Sequence, residues 1–506
     1  MAHNFLSFNS ADFYYPSSIH PVLKNIRFDA HPGWTGIVGE NGSGKSTLLL
    51  LAAGILEPSE GSIQRPEPIV YCPQRTDDLP GSWEDFFYSG DNEAGKFMDL
   101  LQIGYDWPYR WESLSHGERK RLQLALALWE TPAMLAVDEP TNHLDRDAKI
   151  LIANALEGYG GIGLLVSHDR TLLDRLCGSC LFLDGGSAVL RPGGVSRGLA
   201  EDEREQLEQK RNRQQIVSER NRLAAEADSR RRLAESAKNR MSKRNVDKND
   251  RDTKGKINMA RLTGKDAVGT NLYKRMENRI GRLDRDLSAH TVRHERPTGI
   301  TLTGTTARGD RLFTLPGERI TLSPEKFLLI PELTMEPRDR IALTGPNGSG
   351  KSTLINRIIA SIPGQIPFLV VPQEITMEES RNILEQVLGE EEKNKGEILS
   401  RFSRLGSDPR SLLQSALPSP GEIRKLLIAR GVFQNPALII MDEPTNHLDL
   451  PSIQLLETTL QESAAALLLV SHDDAFLDRL ARKEWALRPV TGGGELVTLD
   501  RDGTYN

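Results

Sequence analysis

The chain has 506 residues, of which 38% are hydrophobic and 26% charged, with a formal net charge of −6. That length admits two or three domains, each with its own core, and that composition excludes global disorder. The longest apolar run, near residues 47–56, is far short of the roughly 20 residues that cross a bilayer, and the opening "MAHNFLSFNS" lacks the basic-then-apolar order of a secretory signal. A cytoplasmic location is therefore expected. The 3 cysteines, Cys72, Cys177 and Cys180, cannot build a disulfide framework, and the C-x-x-C at Cys177 has no second ligand pair nearby. Both of its cysteines read as small residues of a packed strand.

In chain order, the first chemical signal is "GENGSGKST" at residues 39–47, which follows the apolar "TGIV" and precedes the apolar "TLLLLAAG". A strand, a glycine-rich loop and a helix in that order make a phosphate-binding loop. Gly39, Asn41, Gly42 and Gly44 let backbone N–H groups turn inward, and the helix start at Lys45, Ser46 and Thr47 adds positive potential. Lys45 is placed to reach the outer phosphates and Ser46 to ligate magnesium. A short apolar run and a proline then lead to Gln74, which suits a loop that senses magnesium or water. "LSHGERKRLQLALAL" at residues 114–128 opens with small residues and runs into a helix. "MLAVDEP" is an apolar strand ending in two carboxylates, which is costly unless they meet a cation or a reacting water. Asp138 is assigned to the magnesium shell and Glu139 to polarising the attacking water. His168, after "LLV", is placed to position that water and the terminal phosphate.

The middle of the chain differs in character. No proline occurs from residue 193 to 296, although the chain has 28, so the stretch can be helical throughout. Residues 199–296 carry 26 Lys and Arg against 17 Asp and Glu, so a basic middle lies between acidic ends. Leu272, Met276, Ile280, Leu283 and Leu287 form a narrow helix–helix seam. The polar residues 243–256 separate two helix-forming stretches, which predicts an antiparallel hairpin with a basic tip.

The second half repeats the first. "GPNGSGKST" at residues 345–353 gives Gly345, Asn347, Gly348, Gly350, Lys351, Ser352 and Thr353 the roles of the first loop. Gln373 follows another short strand and proline, Asp442 and Glu443 repeat the acid pair as a magnesium ligand and a water-polarising group, and His472 repeats His168. "DEPTNHLD" occurs in full in both halves, and the interval from acid to histidine is 30 residues in each. This is a duplicated domain. Boundaries of 1–192, 193–297 and 298–506 follow for the first repeated domain, the linker and the second repeated domain.

These motifs in this order resemble the nucleotide-binding domains of ABC ATPases. The resemblance implies an α/β fold with two P-loop domains, each a mainly parallel sheet core with a helical subdomain, and an ATPase activity with ATP and Mg2+ as cofactors. It makes "LSHGE" the signature sequence, in which Ser115 and Gly117 complete the ATP site of the other half. The second copy reads "LPSPGE", where Ser419 and Gly421 match and prolines stand in place of Leu114 and His116. An adenine-stacking aromatic is implied upstream of the first loop, where Tyr14 and Tyr15 both fit; in the second half Phe327 is a weaker candidate. "EPTNHLD" joins the acids to the loop that crosses between halves, so a two-site machine carries it twice.

Two fused ATPase halves joined by a charged helical linker are more similar to the ABC-F proteins, which act on ribosomes, than to importer subunits, whose connector is short. The stretch from Gln74 to Leu114 is too short for the extra arm of several housekeeping members, so the antibiotic-resistance branch is preferred, with a housekeeping translation factor as the alternative. That branch implies a monomer with paired halves that lies in the ribosomal E site and needs no membrane subunit. Its linker would reach P-site transfer RNA near the peptidyl-transferase centre through Lys243, Arg244, Lys248, Arg251, Lys254 and Lys256.

Overall fold

A computed structural model describes residues 5–16, 20–142, 144–240, 265–289, 310–324, 326–414 and 418–501. The chain forms two compact units, one made of Met1–Gly198 with Arg296–Asn506 and the other of Leu199–Glu295.

The first unit holds both repeats, and each is built on a sheet with the same central order. In the first half that order is Ile69–Cys72, Met134–Asp138, Ile162–Val166, Gly33–Gly39, Cys177–Asp184 and Ser187–Pro192, parallel except for the last pair. In the second half Phe368–Val371, Leu438–Asp442, Ala466–Val470, Arg340–Thr344, Lys483–Val490 and Gly493–Asp500 follow the same course. The central strands are continuous apolar runs because helices cover both faces of a parallel sheet. Met134–Asp138 and Ile162–Val166 are buried at every position. The parallel register is also repeated: Asp138 lies opposite Val166, and Asp442 opposite Val470. Carboxylates thus stand at the C-terminal strand ends, where ligands bind in open α/β sheets.

The flanking pieces diverge. The first half carries a three-stranded antiparallel sheet of Leu23–Ala30, Leu6–Phe13 and Glu60–Gln64. In the second half the hairpin Glu318–Ser323 and Lys326–Ile330 extends the main sheet through Gly493–Asp500. Helical segments lie between the glutamine loop and the acid strand in both halves, ending in His116–Trp129 and Pro420–Phe433. Cys177 and Cys180 are buried in a strand, as free thiols.

The second unit contains most of the helix Val195–Arg240 and the helix Lys265–Ala289. They pair through Arg279 with Glu219 at 2.6 Å and Arg220 with Asp284 at 3.1 Å, while Leu223 and Ala227 are buried. Met276, Ile280, Leu283 and Leu287 are half-buried between exposed neighbours, the seam that the spacing predicts. The tip residues Lys243, Arg244, Lys248, Arg251, Lys254 and Lys256 lie outside the described residues.

Candidate active sites

Each phosphate loop is shaped by glycines in the left-handed region. Gly44 (φ 96°) and Gly350 (φ 98°) stand immediately before their helices, and a Cβ at Gly44 would come within 2.9 Å of Leu23. The helices Lys45–Ala52 and Lys351–Ser361 begin without a side-chain cap, leaving their first N–H groups turned to the loop. Lys45 Nζ donates to the carbonyls of Gly39 (2.9 Å) and Glu40 (3.0 Å), and Lys351 Nζ to those of Gly345 (2.7 Å) and Pro346 (3.1 Å). Both ammonium groups are thus folded over the loop where outer phosphates would lie. Burial pushes both lysines below the ordinary range, against the pull of the facing acids. The loop hydroxyls of Ser43 and Ser349 are buried without hydrogen-bond partners among the described residues.

The acid pairs face these loops. Asp138 bonds to Ser46, and Asp442 to Ser352. Burial raises both aspartates. The next residues, Glu139 (φ 46°) and Glu443 (φ 48°), are held in a left-handed conformation that side chains rarely adopt. Strain of this kind, about 1–3 kcal/mol per residue, persists where surrounding structure imposes it. The imposing contact is the same in both halves: Glu139 N–H donates to Val166 O at 2.9 Å and Glu443 N–H to Val470 O at 2.8 Å.

Each glutamate is bonded to its histidine. His168 N–H donates to Glu139 Oε2 (3.4 Å), with Nε2 3.2 Å from Oε1; His472 repeats this at 3.3 and 3.5 Å. Oε1 of each glutamate has no aligned donor among the described residues, which leaves one carboxylate oxygen for a reacting water. Burial pushes both glutamates up to about 7 and is the largest effect on each. Burial likewise pushes His168 down to about 3 and His472 to about 4, so both imidazoles are neutral at physiological pH. A neutral histidine can donate one ring proton and accept with its other nitrogen.

The two sites are closed differently. Around Lys351 there is a cavity of about 530 Å³ lined by Ser352, Thr353, Gln373, Asp442, Glu443 and His472, together with Thr141, Leu144 and Lys149 from the first half. Around Lys45 the second half sits directly on the loop: Asn41 N–H donates to Asp449 Oδ2 at 2.7 Å, and Asn41 Nδ2 to His447 O at 3.0 Å. Asp449 and His447 belong to the second copy of "DEPTNHLD". The crossing role assigned to that motif thus has a geometric counterpart in both directions.

The signature residues lie behind these crossing loops. Gly117 is pressed against Leu144 and Gly421 against the His447 carbonyl, where a Cβ would come within 2.9 Å in each case. Ser115 and Ser419 cap their helices through the same reciprocal bonds with Glu118 and Glu422. Their backbones agree closely, at φ −64°, ψ 157° and φ −63°, ψ 155°. The prolines therefore leave the turn undistorted, because Pro420 occupies the first helical turn, where its ring suits the fixed φ. What the second signature lacks is two N–H groups, the one that Leu114 donates to Trp111 O at 3.1 Å and the one that His116 keeps in the first helical turn.

Tyr15 Oη lies 3.0 Å from Thr47 Oγ1, so its ring stands beside the first loop, whereas Tyr14 is tied by its backbone to Ser59. Phe327 lies under the Arg319 guanidinium, 4.0 Å from its ring centre. Gln74 follows its strand and is exposed.

Sequence reasoning missed two buried cations on the signature helices. Lys120, fully buried, donates to Pro73 O (2.6 Å) and Asp138 O (3.4 Å). Its counterpart Arg424 donates to the carbonyls of Glu443 (2.8 Å), Asn446 (2.9 Å), Pro372 (3.3 Å) and Gln373. Each ties signature helix, glutamine loop and acid strand together. A charge within the apolar face of those helices was the available signal.

Comparison with known proteins agrees with this geometry. The family profile described as "ABC transporter" matches residues 23–142 and 330–446, once in each half. Ribosome protection protein VmlR of Bacillus subtilis (strain 168) is 29% identical over 469 residues, covering 90% of this chain and 82% of that protein. Tylosin resistance ATP-binding protein TlrC of Streptomyces fradiae is 29% identical, covering 92% and 94%. Energy-dependent translational throttle protein EttA of Escherichia coli (strain K12) is 28% identical, covering 91% and 88%. The chain is a tandem ABC ATPase, and these three relatives are ABC-F proteins. Its two ABC domains bind and hydrolyse ATP. A crystal structure of archaeal ribosome recycling factor aABCE1 in complex with the archaeal ribosomal stalk protein aP1 shares the fold of this chain, with a TM-score of 0.62, 18% identity and coverage of 97% and 90%. Among the described residues no helix is long and apolar enough to cross a membrane.

Proposed function

We propose that this ATPase acts on the ribosome and protects translation from antibiotics that target it. The observation that carries the reading is its similarity, across most of both chains, to VmlR and TlrC, whose names describe ribosome protection and tylosin resistance. In this reading ATP draws the halves together, the closed body occupies the E site, and the linker extends toward P-site transfer RNA beside the peptidyl-transferase centre. Lys243, Arg244, Lys248, Arg251, Lys254 and Lys256 supply the positive charge for that RNA contact. The similarity to EttA over 91% of the chain favours a second reading, a translation factor without a role in resistance.

The chemistry proposed for each site follows from its residues. Asn41, Gly42, Gly44 and Thr47, with Asn347, Gly348, Gly350 and Thr353, cradle the phosphates, and Lys45 and Lys351 pair with the outer ones. Among the described residues no cluster of three or more His, Cys, Asp or Glu could hold a metal alone. The serine hydroxyl beside each buried aspartate nevertheless suits Mg2+, whose remaining ligands would be phosphate and water. Ser46 and Asp138, and Ser352 and Asp442, would hold it, with Gln74 and Gln373 brought in on closure. Bound there, Mg2+ would neutralise charge on the outer phosphates. Glu139 and Glu443 orient and polarise the attacking water through Oε1, and the neutral imidazoles of His168 and His472 that stand beside those oxygens hold the terminal phosphate.

Cell-free translation under a panel of ribosome-targeting drugs tests the proposal, using intact protein and a variant with residues 243–256 replaced by a short Gly/Ser turn. Rescue by the intact protein alone, with ATPase activity equal in both, is expected. Rescue by both makes the linker a tether, and rescue by neither under any drug favours the translation-factor reading.

A further inference from the structure

The interface between the halves carries a one-sided set of charges beside the Lys351 site. Lys149, on the helix Arg146–Glu157, places Nζ 3.0 Å from Asp169 Oδ2 in its own half and donates to His472 O of the other half at 3.1 Å. The same side chain lines the cavity with Lys351, Glu443 and His472. Next to it, Arg170 forms a buried two-armed ion pair with Glu457 and lies 3.8 Å from Asp473. A lysine on a water-exposed stem would sample many rotamers; the Asp169 carboxylate holds this one toward the opposite half.

The contact meets the peptide of His472. His472 N–H is bonded to Glu443, and its carbonyl accepts from Lys149, so the residue is gripped on both sides, once from its own half and once from the other. Among the described residues the Lys45 site has no such arrangement. The position matching Lys149, four residues after Asp449, is Ile453, which is buried in the second half's core, and Asp474 stands where Arg170 does.

We propose that Lys149 is a positioning residue acting in trans, which seats His472 for hydrolysis at the Lys351 site only while the two halves are together. The Lys45 site is closed instead by Asp449 on Asn41, so the two sites sense closure by different devices. The inference rests on the reading that Glu443 and His472 act on the water at the Lys351 site.

The test measures steady-state ATP hydrolysis by Lys149→Met and Lys149→Arg in a Glu139→Gln background, where the Lys351 site supplies the turnover. Loss of a charge-assisted hydrogen bond made in the closed state predicts a fall in kcat of roughly tenfold. KM for ATP should stay within about twofold, because interactions made only on the way to the transition state act on kcat. The arginine variant should recover most of the rate. A rise in KM at constant kcat, or an arginine variant as slow as the methionine one, overturns the proposal. If Glu139→Gln alone stops turnover, the same split between kcat and KM, with the same arginine rescue, is read in the otherwise wild-type protein and decides in the same way. Turnover that survives in Glu139→Gln/Glu443→Gln refutes the reading of the glutamates, a failure distinct from any result with Lys149.

Discussion

Replacing Glu139 and Glu443 with Gln should stabilise the nucleotide-free protein at alkaline pH while ending its activity. Each glutamate is raised from 4.5 to about 7, chiefly by burial. A carboxyl whose folded value lies above its unfolded one gives stability that is fully present below about pH 4.5 and is lost as pH rises through about 7. The shift of roughly 2.5 units, at about 1.4 kcal/mol per unit, sets an upper bound between about 3 and 4 kcal/mol for each site. Relaxation and water entry bring the expected gain to about 1–3 kcal/mol. Gln does not ionise, so it escapes the loss while keeping the shape. The assay is thermal unfolding of wild type, both single variants and the double variant, without nucleotide, at pH 5 and pH 8. The advantage of the variants should be larger at pH 8, and it should add in the double variant because the two sites lie in different halves. Equal melting temperatures at both pH values would refute the claim that desolvation dominates these carboxylates.

Lys45→Ala and Lys351→Ala should each weaken ATP binding to one site, seen as one bound nucleotide instead of two in equilibrium dialysis. Pro420→His, which returns the N–H of the first helical turn to the second signature, should raise turnover in a Glu443→Gln background, where the Lys45 site supplies the activity; unchanged rates would mean that donor faces no phosphate. Arg170→Met should cost about 1–3 kcal/mol of stability, because the buried Glu457 keeps Arg479 at 2.8 Å as its remaining cation, whereas Arg170→Met/Arg479→Met should cost clearly more by stranding it, a contrast readable in chemical unfolding. Lys120→Met should slow hydrolysis and destabilise the first half, since it leaves the Pro73 and Asp138 carbonyls without their donor.

The geometry of both candidate sites was legible because it is carried by short contiguous motifs. A strand, a glycine turn and a helix start suffice to place Lys45 and Ser46, and the repeated interval from Asp442 to His472 brings acid and imidazole together at adjacent strand ends. The helix seam at Met276, Ile280, Leu283 and Leu287 was legible for a similar reason, since a period near 3.5 sets which side chains face a partner. What escaped the sequence depends on residues far apart. Arg170 and Glu457 are separated by 287 positions, and nothing local marks either as one arm of a buried pair. Lys120 and Arg424 stand within apolar helix faces, but the carbonyls that receive them come from a different loop and strand, which no local pattern names. The prolines flanking Ser419 are plain in the sequence, but that the cap keeps its geometry and loses only two N–H donors is seen in the fold alone.

In the proposed function, ATP-driven closure of the two halves creates the form that binds ribosomes. Cosedimentation of Glu139→Gln/Glu443→Gln with purified ribosomes, with and without ATP, reads that step. ATP-dependent retention of this hydrolysis-deficient protein on ribosomes, stronger than that of wild type, is expected. A variant that binds ATP, fails to hydrolyse it and still sediments free of ribosomes would overturn the proposal.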